Sequence, residues 1–280
     1  MDAVYSLIGT LLPFEALQFT FMKNAFLAIL LLTPLLGLLG TMAVNKQMAF
    51  FSDALGHSAL TGIGLGIVLG MSNDLVSMLI FGIVWAIMLC RIKQTGAAST
   101  DTIISVFSST SVALGLIILA HGGSFAKYSS LLIGDVLAVT QLDLLWLLLA
   151  LLLGTAAWML MYNRLLLSSV NSALARSRGV RTALVECAFV VLVAVAVMLA
   201  IRWVGVMLIN ALLILPAASA RNIARNARQH AALSVAIAVV CGVAGLFCAY
   251  AWDTSAGAAI VLIAACFYAA SLGVRKLLRR

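Results

Sequence analysis

Residues 183–201 read ALVECAFVVLVAVAVMLAI and contain one charged side chain, that of Glu186. At a rise of 1.5 Å per residue, a helix over this run is roughly 29 Å long, close to the ~30 Å hydrocarbon core of a bilayer. A continuous helix also satisfies its own backbone hydrogen bonds, which lipid cannot do. The stretch therefore predicts a membrane-spanning helix.

Comparable runs recur along the rest of the chain. They fall at about 24–44, 48–70, 75–90, 102–120, 141–162, 183–201, 204–219, 231–250 and 257–273. We therefore predict an all-α fold, a polytopic transmembrane bundle of about eight or nine spans that forms one domain over residues 1–280. Arg202–Trp203 only weakly separates the sixth run from the seventh. Tyr128–Val139, which is too short to span, is predicted to be a half-helix.

Composition argues against a soluble protein. Apolar residues make up 64% of the chain, charged residues 9%, and the mean hydropathy is +1.18, whereas soluble domains are about 45–50% apolar and about 25% charged. The excess of 17 Lys and Arg over 9 Asp and Glu lies in short gaps between apolar runs. That placement indicates membrane topology and contact with anionic lipid rather than nucleic-acid binding.

The basic residues occupy alternate gaps between the apolar runs. They are Lys46, Arg91, Lys93, Arg164, Arg176, Arg178, Arg181, Arg221, Arg225, Arg228 and the cluster at 275–280. Basic loops stay in the cytoplasm, so nine spans predict a cytoplasmic C-terminus and an N-terminal side outside. A re-entrant Met48–Leu60 would remove one span and reverse the N-terminal side.

Asp53 and His57 place ionisable groups inside the second apolar run, where such groups mark function. In a helix starting near Gln47 they lie about 9 Å and about 15 Å along the axis, on one face. A carboxylate with an imidazole suits a divalent cation such as Zn²⁺ or Mn²⁺. One such pair cannot complete a site, but two copies across a two-fold axis would supply four ligands. The alternative is an Asp–His pair that only fixes helix packing.

Glycine spacing in the same run has a structural interpretation. Gly62/Gly66 and Gly66/Gly70 are small-xxx-small pairs, which predict close helix contacts. The sequence contains no G-x-x-x-x-G-K-[ST] phosphate loop and no readable catalytic arrangement. We therefore expect a chain that is not an enzyme and does not hydrolyse ATP by itself.

Four further residues carry weaker signals. Asn210 and Pro216 lie in the seventh run, where a buried proline frees a carbonyl that can line a pore; an ordinary kinked span is the alternative. Glu186, which follows Arg181, is predicted to form a local ion pair there, and a role in proton coupling is the alternative. His230, in a gap between runs, is predicted to lie at the surface.

Six stretches, in order, resemble the integral membrane permease of ABC-type zinc/manganese/iron importers. They read MAFFSDALGHSALTGIGLG at 48–66, TDTIISVFSSTSVALGL at 100–116, LLIGDVLAV at 131–139, ALARSRGV at 173–180, VGVMLINALLILPAASAR at 204–221 and AWDTSAGAAIVL at 251–262. The first and fifth are the most specific. Two departures concern docking: a single basic residue, Lys46, precedes the first motif, and Val170-Asn171-Ser172 opens the inner segment without an acidic residue or proline.

The resemblance implies an importer permease in a prokaryotic plasma (inner) membrane. Expected partners are two cytosolic ATPase subunits, an extracytoplasmic metal-binding protein and a second permease copy, either identical or related. The family's D-x-x-x-H ligands map onto Asp53 and His57. Its ATPase-docking pattern maps onto Leu174, Ala175, Arg176 and Gly179, within a cytosolic segment of about 163–181.

The resemblance also implies that the divalent metal is cargo rather than a permanently bound cofactor. Zn²⁺ is favoured weakly over Mn²⁺, and Fe²⁺ remains open. Two rival functions are a permease for a vitamin or siderophore, whose pore needs no paired ligands, and an ion-coupled secondary transporter, which needs more intramembrane carboxylates than this chain holds.

Overall fold

The computed structural model describes residues 15–96, 98–121 and 136–278, and within those ranges the protein is helical. Ten α-helices follow in order: α1 (Thr20–Asn45), α2 (Phe51–Val68), α3 (Asp74–Gln94), α4 (Thr100–His121), α5 (Gln141–Val170), α6 (Ser172–Ser177), α7 (Thr182–Val204), α8 (Val206–Ile223), α9 (Ala227–Trp252) and α10 (Ala256–Leu278). Short 3₁₀ turns occur at Glu15–Gln18 and Val136–Ala138. The predicted all-α class is confirmed.

Eight of the described helices are long and apolar enough to cross a membrane by length and composition. They are all of the long helices except α2, the helix that carries Asp53 and His57. Its 18 residues are sufficient in number, but the two ionisable side chains and several Gly and Ser residues lower its hydropathy. The predicted eight or nine spans are thus confirmed, with α2 as the ambiguous member.

The chain divides into two compact units. The first comprises Met1–Thr41, Gly134–Leu153 and Trp203–Arg280, and the second comprises Met42–Ile133 and Gly154–Arg202. In the first unit α8, α9 and α10 pack against one another, and in the second α2 packs against α3 and α4. Each unit builds its own core, and they are described separately below.

Trp85 anchors the second unit where α2, α3 and α4 meet. Its ring lies 5.7 Å from that of Phe51 and 5.9 Å from that of Phe107. Its indole N–H donates to Ser111 Oγ at 2.9 Å, which pairs the one polar atom of a ring that is only 4% exposed. These contacts fix the first turn of α2, which carries Asp53.

The predicted close helix contacts are present at two of the three glycines. A Cβ on Gly62 would lie 3.1 Å from Met78 Cα, and a Cβ on Gly66 would lie 2.6 Å from Ser77 Cβ, so α2 and α3 approach through these positions. Gly70 differs, because it has φ +69° and nothing within 4 Å of an added Cβ. It ends α2 in a left-handed turn and makes no helix contact.

His230 contradicts the prediction of a surface histidine. The gap before α9 is short because Asn226 caps that helix, its side chain accepting from the Gln229 N–H at 2.8 Å. His230 therefore lies in the first turn of α9, is 7% exposed, and places Nε2 2.9 Å from the Ala217 carbonyl oxygen of α8. The histidine joins two helices of the first unit.

Three predicted boundaries move. The helix expected to start near Gln47 starts at Phe51 and runs unbroken to Val68, so the chain is not broken within Phe51–Leu60. The sixth span ends at Val204 and not at Ile201, because the break falls at Gly205, which adopts φ +78°. The fifth run, predicted to end near Tyr162, continues as α5 to Val170. The proposed half-helix at Tyr128–Val139 lies mostly outside the described residues.

Candidate functional site

A tight turn connects α1 to α2 and determines how far along the axis of α2 Asp53 lies. Gln47 adopts φ +56°, and the Met48 N–H donates to the Ala43 carbonyl oxygen at 2.9 Å, a pattern that closes the end of α1. Because α2 begins at Phe51, Asp53 lies about 3 Å along its axis and His57 about 9 Å. Both lie nearer the helix start than the sequence predicted.

Asp53 and His57 form the exposed face of an otherwise packed helix. From Phe51 to Gly64 every residue except these two is buried. Their side chains are about half exposed, 50% for Asp53 and 46% for His57, and His57 Nε2 lies 3.6 Å from Asp53 Oδ1. Packing on the other faces holds α2 in place, so the carboxylate and the imidazole project together from its exposed face.

The chain supplies an incomplete ligand set at this face. Within residues 15–96, 98–121 and 136–278, three or more His, Cys, Asp or Glu side chains nowhere gather closely enough to hold a metal. A divalent metal at Asp53 and His57 would therefore need donors beyond those that the described residues gather there. A second copy of α2 would supply one more oxygen donor and one more nitrogen donor.

Asn210 and Pro216 belong to the other compact unit. Pro216 lies buried inside α8, where its ring removes one N–H from the helix ladder, and Asn210 is half-buried in the same helix. Ser219 Oγ donates to the Leu215 carbonyl oxygen at 2.7 Å, one turn back along the helix. The predicted pore-lining role of Asn210 and Pro216 stays a prediction.

The predicted ATPase-docking residues lie on and just after the short helix α6. Asn171 caps its start, with the side-chain oxygen accepting from the Ala173 and Leu174 N–H groups, each at 3.0 Å. Gly179 closes its end at φ +77°, and the Val180 N–H donates to the Ala175 carbonyl oxygen at 3.0 Å. Although Asn171 is neither acidic nor proline, it starts the helix well.

The side chains of α6 differ in exposure: one is buried against the second unit and its neighbours face outward. Ala175 is fully buried and fixes α6 to the second unit, whereas Leu174 is 44% exposed and Arg176 is exposed. Residues three and four apart share a helix face, and neighbours in sequence do not. The helix therefore exposes the apolar side chain of Leu174 and the cationic side chain of Arg176, while buried Ala175 holds it to the unit.

An ion-pair network that the sequence did not reveal lies beside α6. Lys46 Nζ is 2.5 Å from Glu186 Oε1 and donates to Ser168 Oγ at 2.8 Å, while Lys93 Nζ is 3.9 Å from Glu186 Oε2. The prediction that Glu186 forms an ion pair was right, but its predicted partner, Arg181, was wrong. The actual partners are 140 and 93 residues away (186 − 46 and 186 − 93).

Comparison with known proteins shows which family has this arrangement. Residues 18–275 match the ABC 3 transport family. The chain belongs to that family. Members of this family are permease subunits that move a solute through the membrane while a separate ATPase hydrolyses ATP, so the predictions of a permease and of a non-enzyme are confirmed.

Relatives of this ABC 3 permease extend over nearly its whole length. It is 30% identical over 254 residues to the manganese import system permease protein ScaB of Streptococcus parasanguinis, covering 90% of this chain and 89% of the relative. It is 27% identical over 260 residues to the high-affinity zinc uptake system membrane protein ZnuB of Haemophilus influenzae, covering 92% and 99%. The multi-pass membrane assignment follows from the family.

A solved structure shares the fold of this ABC 3 permease. The chain superimposes with a TM-score of 0.79 and 28% identity on a chain of PsaBC from Streptococcus pneumoniae, solved in complex with a Fab, and the match covers 97% of this chain and 95% of that one. A solved structure therefore has a similar fold over nearly the whole of both chains.

The Lys46–Glu186 pair gives the ABC 3 permease a testable source of stability. The Lys46 side chain is 8% exposed and that of Glu186 is 32% exposed. Glu186→Gln would strand a nearly buried ammonium, and we expect a loss of about 1–3 kcal/mol, discounted from a fully buried pair for the exposure of Glu186. Thermal unfolding of the purified chain measures the loss.

Two variants control the Glu186→Gln experiment. Lys93→Gln removes only the 3.9 Å contact between partly exposed groups and should cost less than about 1 kcal/mol. The double variant Lys46→Met with Glu186→Met should be more stable than Glu186→Gln, because both charges leave together. A Glu186→Gln protein as stable as the wild type would contradict the importance of this pair.

Proposed function

We propose that this chain is the pore-forming permease of an ABC importer that carries a divalent transition metal inward by alternating access. The proposal depends on the half-exposed Asp53–His57 pair, which forms the exposed face of the otherwise packed helix α2. An ionisable pair inside a membrane protein is costly unless it meets water, a partner or an ion. Relatives named for manganese and for zinc support a metal cargo.

Zinc is the cargo that the ligand chemistry favours. A carboxylate oxygen and an imidazole nitrogen from each of two copies give two oxygen and two nitrogen donors, and a mixed nitrogen–oxygen site binds Zn²⁺ more tightly than Mn²⁺ or Fe²⁺. Relatives of similar identity are named for manganese and for zinc, so the preference rests on the donors. The metal is transported and is not a permanent cofactor.

The proposed assembly is a pair of permease copies facing each other through α2. The two donors that the described residues place together are too few for a metal site, and both side chains are about half exposed. A two-fold axis beside α2 would bring two Asp53–His57 pairs together. Water would complete a loose shell, which suits a site that must release its ion.

The remaining partners follow from the proposed direction of transport. The helix α6, with exposed Leu174 and Arg176 and buried Ala175, is proposed to insert into a cytosolic ATPase subunit. An extracytoplasmic metal-binding protein is proposed to deliver the ion on the opposite side. The assembly is proposed to lie in the plasma (inner) membrane of a prokaryote.

Orientation gives the first test of this proposal. Basic residues cluster at the α1–α2, α3–α4, α5–α7 and α8–α9 connections and at the end of α10, so these sites and the C-terminus are proposed to be cytoplasmic. Single cysteines introduced near Arg178 or Arg225, in an otherwise cysteine-free chain, should react with an impermeant reagent only after the membrane is opened. Sites near Asp74 and Asp253 should react in intact cells.

Labelling near Arg178 from outside intact cells would exclude α6 as the ATPase-docking helix. A buried position such as Ala175 provides the control, since a cysteine there should resist the reagent from either side until the protein is denatured.

Uptake by the reconstituted complex tests the function as a whole. The permease with its ATPase, in vesicles supplied with metal-loaded binding protein, should accumulate ⁶⁵Zn²⁺ only when ATP is present on the ATPase side. Competition with excess Mn²⁺ reports the preference, and a vitamin or iron-chelate cargo in place of metal tests the rival importer class. ATP-dependent uptake of a chelate without metal-ion uptake would reject the proposal.

A further inference from the structure

A cavity of about 320 Å³ lies in the second unit beside α6. Its rim is polar and includes Lys93 and Gln94 from the end of α3, Ser172 and Arg176 from α6, and Thr182 from the start of α7. We call it the basic cavity. It is separate from the Asp53–His57 face, since neither of those residues lines it.

The charges around the basic cavity do not balance. Lys46, Lys93 and Arg176 line it together with one carboxylate, that of Glu186, so the ionised lining carries +3 − 1 = +2. Lys46 lies closest to Glu186, at 2.5 Å, and Lys93 lies at 3.9 Å. Arg176 makes no ion pair or side-chain hydrogen bond with any residue that the structure describes. The cavity is therefore suited to an anion and disfavours a metal cation.

The floor of the basic cavity is apolar. Met48, Cys90, Phe189 and Val190 line it, and each of them is at most 5% exposed. A small inorganic anion gains nothing from such a floor, because apolar surface cannot pair with its oxygens. A molecule with an anionic group next to hydrocarbon would satisfy both the rim and the floor.

We propose that the basic cavity binds the phosphate group of an anionic phospholipid. Lys93 and Arg176 contact the phosphate oxygens, Ser172, Thr182 and Gln94 offer hydrogen-bonding groups, and the glycerol end of the lipid rests on the apolar floor. Basic pockets between helices at the cytoplasmic side of membrane proteins take such headgroups. This proposal depends on the proposed orientation of the chain only where it assigns the bound lipid to the cytoplasmic leaflet.

A bound lipid would act on the docking helix. Lys93 lies in the last turn of α3 and Arg176 in the last turn of α6. One phosphate that contacts both would tie α6 to the second unit at a second point, next to the Ala175 anchor. The lipid is thus proposed to steady the surface that meets the ATPase.

The test compares lipid retention by two double variants of the purified, full chain. Lys93→Gln with Arg176→Gln removes two cations that line the cavity, and Arg91→Gln with Arg178→Gln removes two exposed cations from the same two segments that do not line it. The matched pair keeps the net charge equal, so diffuse attraction to anionic lipid falls equally in both. Native mass spectrometry counts the lipid that stays bound after exchange into detergent with dioleoyl phosphatidylglycerol or dioleoyl phosphatidylcholine.

We expect the wild type and the Arg91/Arg178 variant to retain phosphatidylglycerol. The Lys93/Arg176 variant should bind this lipid about tenfold more weakly, because charge-assisted hydrogen bonds are roughly twice as strong as neutral ones. Phosphatidylcholine should show no such difference. Equal retention of phosphatidylglycerol by the two variants would overturn the site. A cooperative unfolding transition of both variants in phosphatidylcholine, with the Lys93/Arg176 variant lower only by the small loss of the Lys93–Glu186 contact, establishes that the comparison is between folded proteins.

Inorganic phosphate distinguishes the two sources of the anion. Stabilisation of the wild type against heat by short-chain phosphatidylglycerol, but not by phosphate at the same concentration, assigns the site to lipid. If phosphatidylglycerol and phosphate stabilise the wild type equally, and neither stabilises the Lys93/Arg176 variant, the site binds free phosphate. That result would also reject a contribution of the apolar floor to binding. No stabilisation by either anion would reject the phosphate site altogether. These measurements need no ATPase and no metal, so they can fail while the proposed transport function stands.

Discussion

Asp53→Asn is expected to abolish metal uptake while leaving the protein folded and assembled. The substitution keeps the size of the side chain and most of its hydrogen bonding, and it removes the negative charge that offsets a dication. The side chain is half exposed, so the fold should tolerate the change. In a paired assembly both carboxylates disappear together.

The expected loss is large because the change affects a direct ligand. Loss of groups that only support a metal ligand typically weakens binding about 10–100-fold, so removal of the ligand should cost at least that. Uptake of ⁶⁵Zn²⁺ by vesicles containing the complex should fall to background in Asp53→Asn, Asp53→Ala and His57→Ala alike.

Asp101→Asn is the matched control for this experiment. Asp101 is an exposed carboxylate in the first turn of α4, in the same unit, and the same chemical change there should leave uptake near normal. Near-normal uptake by Asp53→Asn would show that the pair only fixes helix packing, because an amide can replace a carboxylate in a hydrogen bond. The permease assignment would stand on the family match.

Arg176→Glu is expected to uncouple ATP hydrolysis from transport. Arg176 is exposed on α6 beside Leu174, while Ala175 holds the helix to the unit. Charge reversal at a docking surface weakens association and register with the partner, and it leaves the permease itself able to insert. We expect metal moved per ATP hydrolysed to fall about tenfold or more.

Arg178→Glu controls for the change in net charge. It is exposed in the same segment, at the C-cap of α6, and residues two apart on a helix point in different directions. Co-purification of the ATPase with the permease, and ATPase activity with and without loaded binding protein, should be close to wild type in Arg178→Glu and impaired in Arg176→Glu. Normal coupling in Arg176→Glu would exclude α6 as the coupling element.

Periodic and compositional signals predicted the helices well. Nine apolar runs became nine long helices among the described residues, and their order and the alternating basic gaps were readable without a structure. Helix ends were harder to predict, because they depend on single backbone conformations. Because Gln47 adopts φ +56°, α2 begins only at Phe51. Because Gly205 adopts φ +78°, α7 ends at Val204.

The sequence by itself determined the class of protein, the family resemblance and the shared helix face of Asp53 and His57. Lipid as solvent requires long apolar helices, and a helix repeats its face every three to four residues, so Asp53 and His57 had to point the same way. These conclusions depend on local spacing, which the sequence contains in full.

Only the tertiary structure decided which side chains meet across long separations. Lys46 and Glu186 are 140 residues apart, and nothing in their local sequence shows that they pair, because that contact depends on how the ends of several helices pack. The same packing buries every residue from Phe51 to Gly64 except Asp53 and His57. The Asp53 and His57 side chains are thereby left about half exposed on one face of the helix.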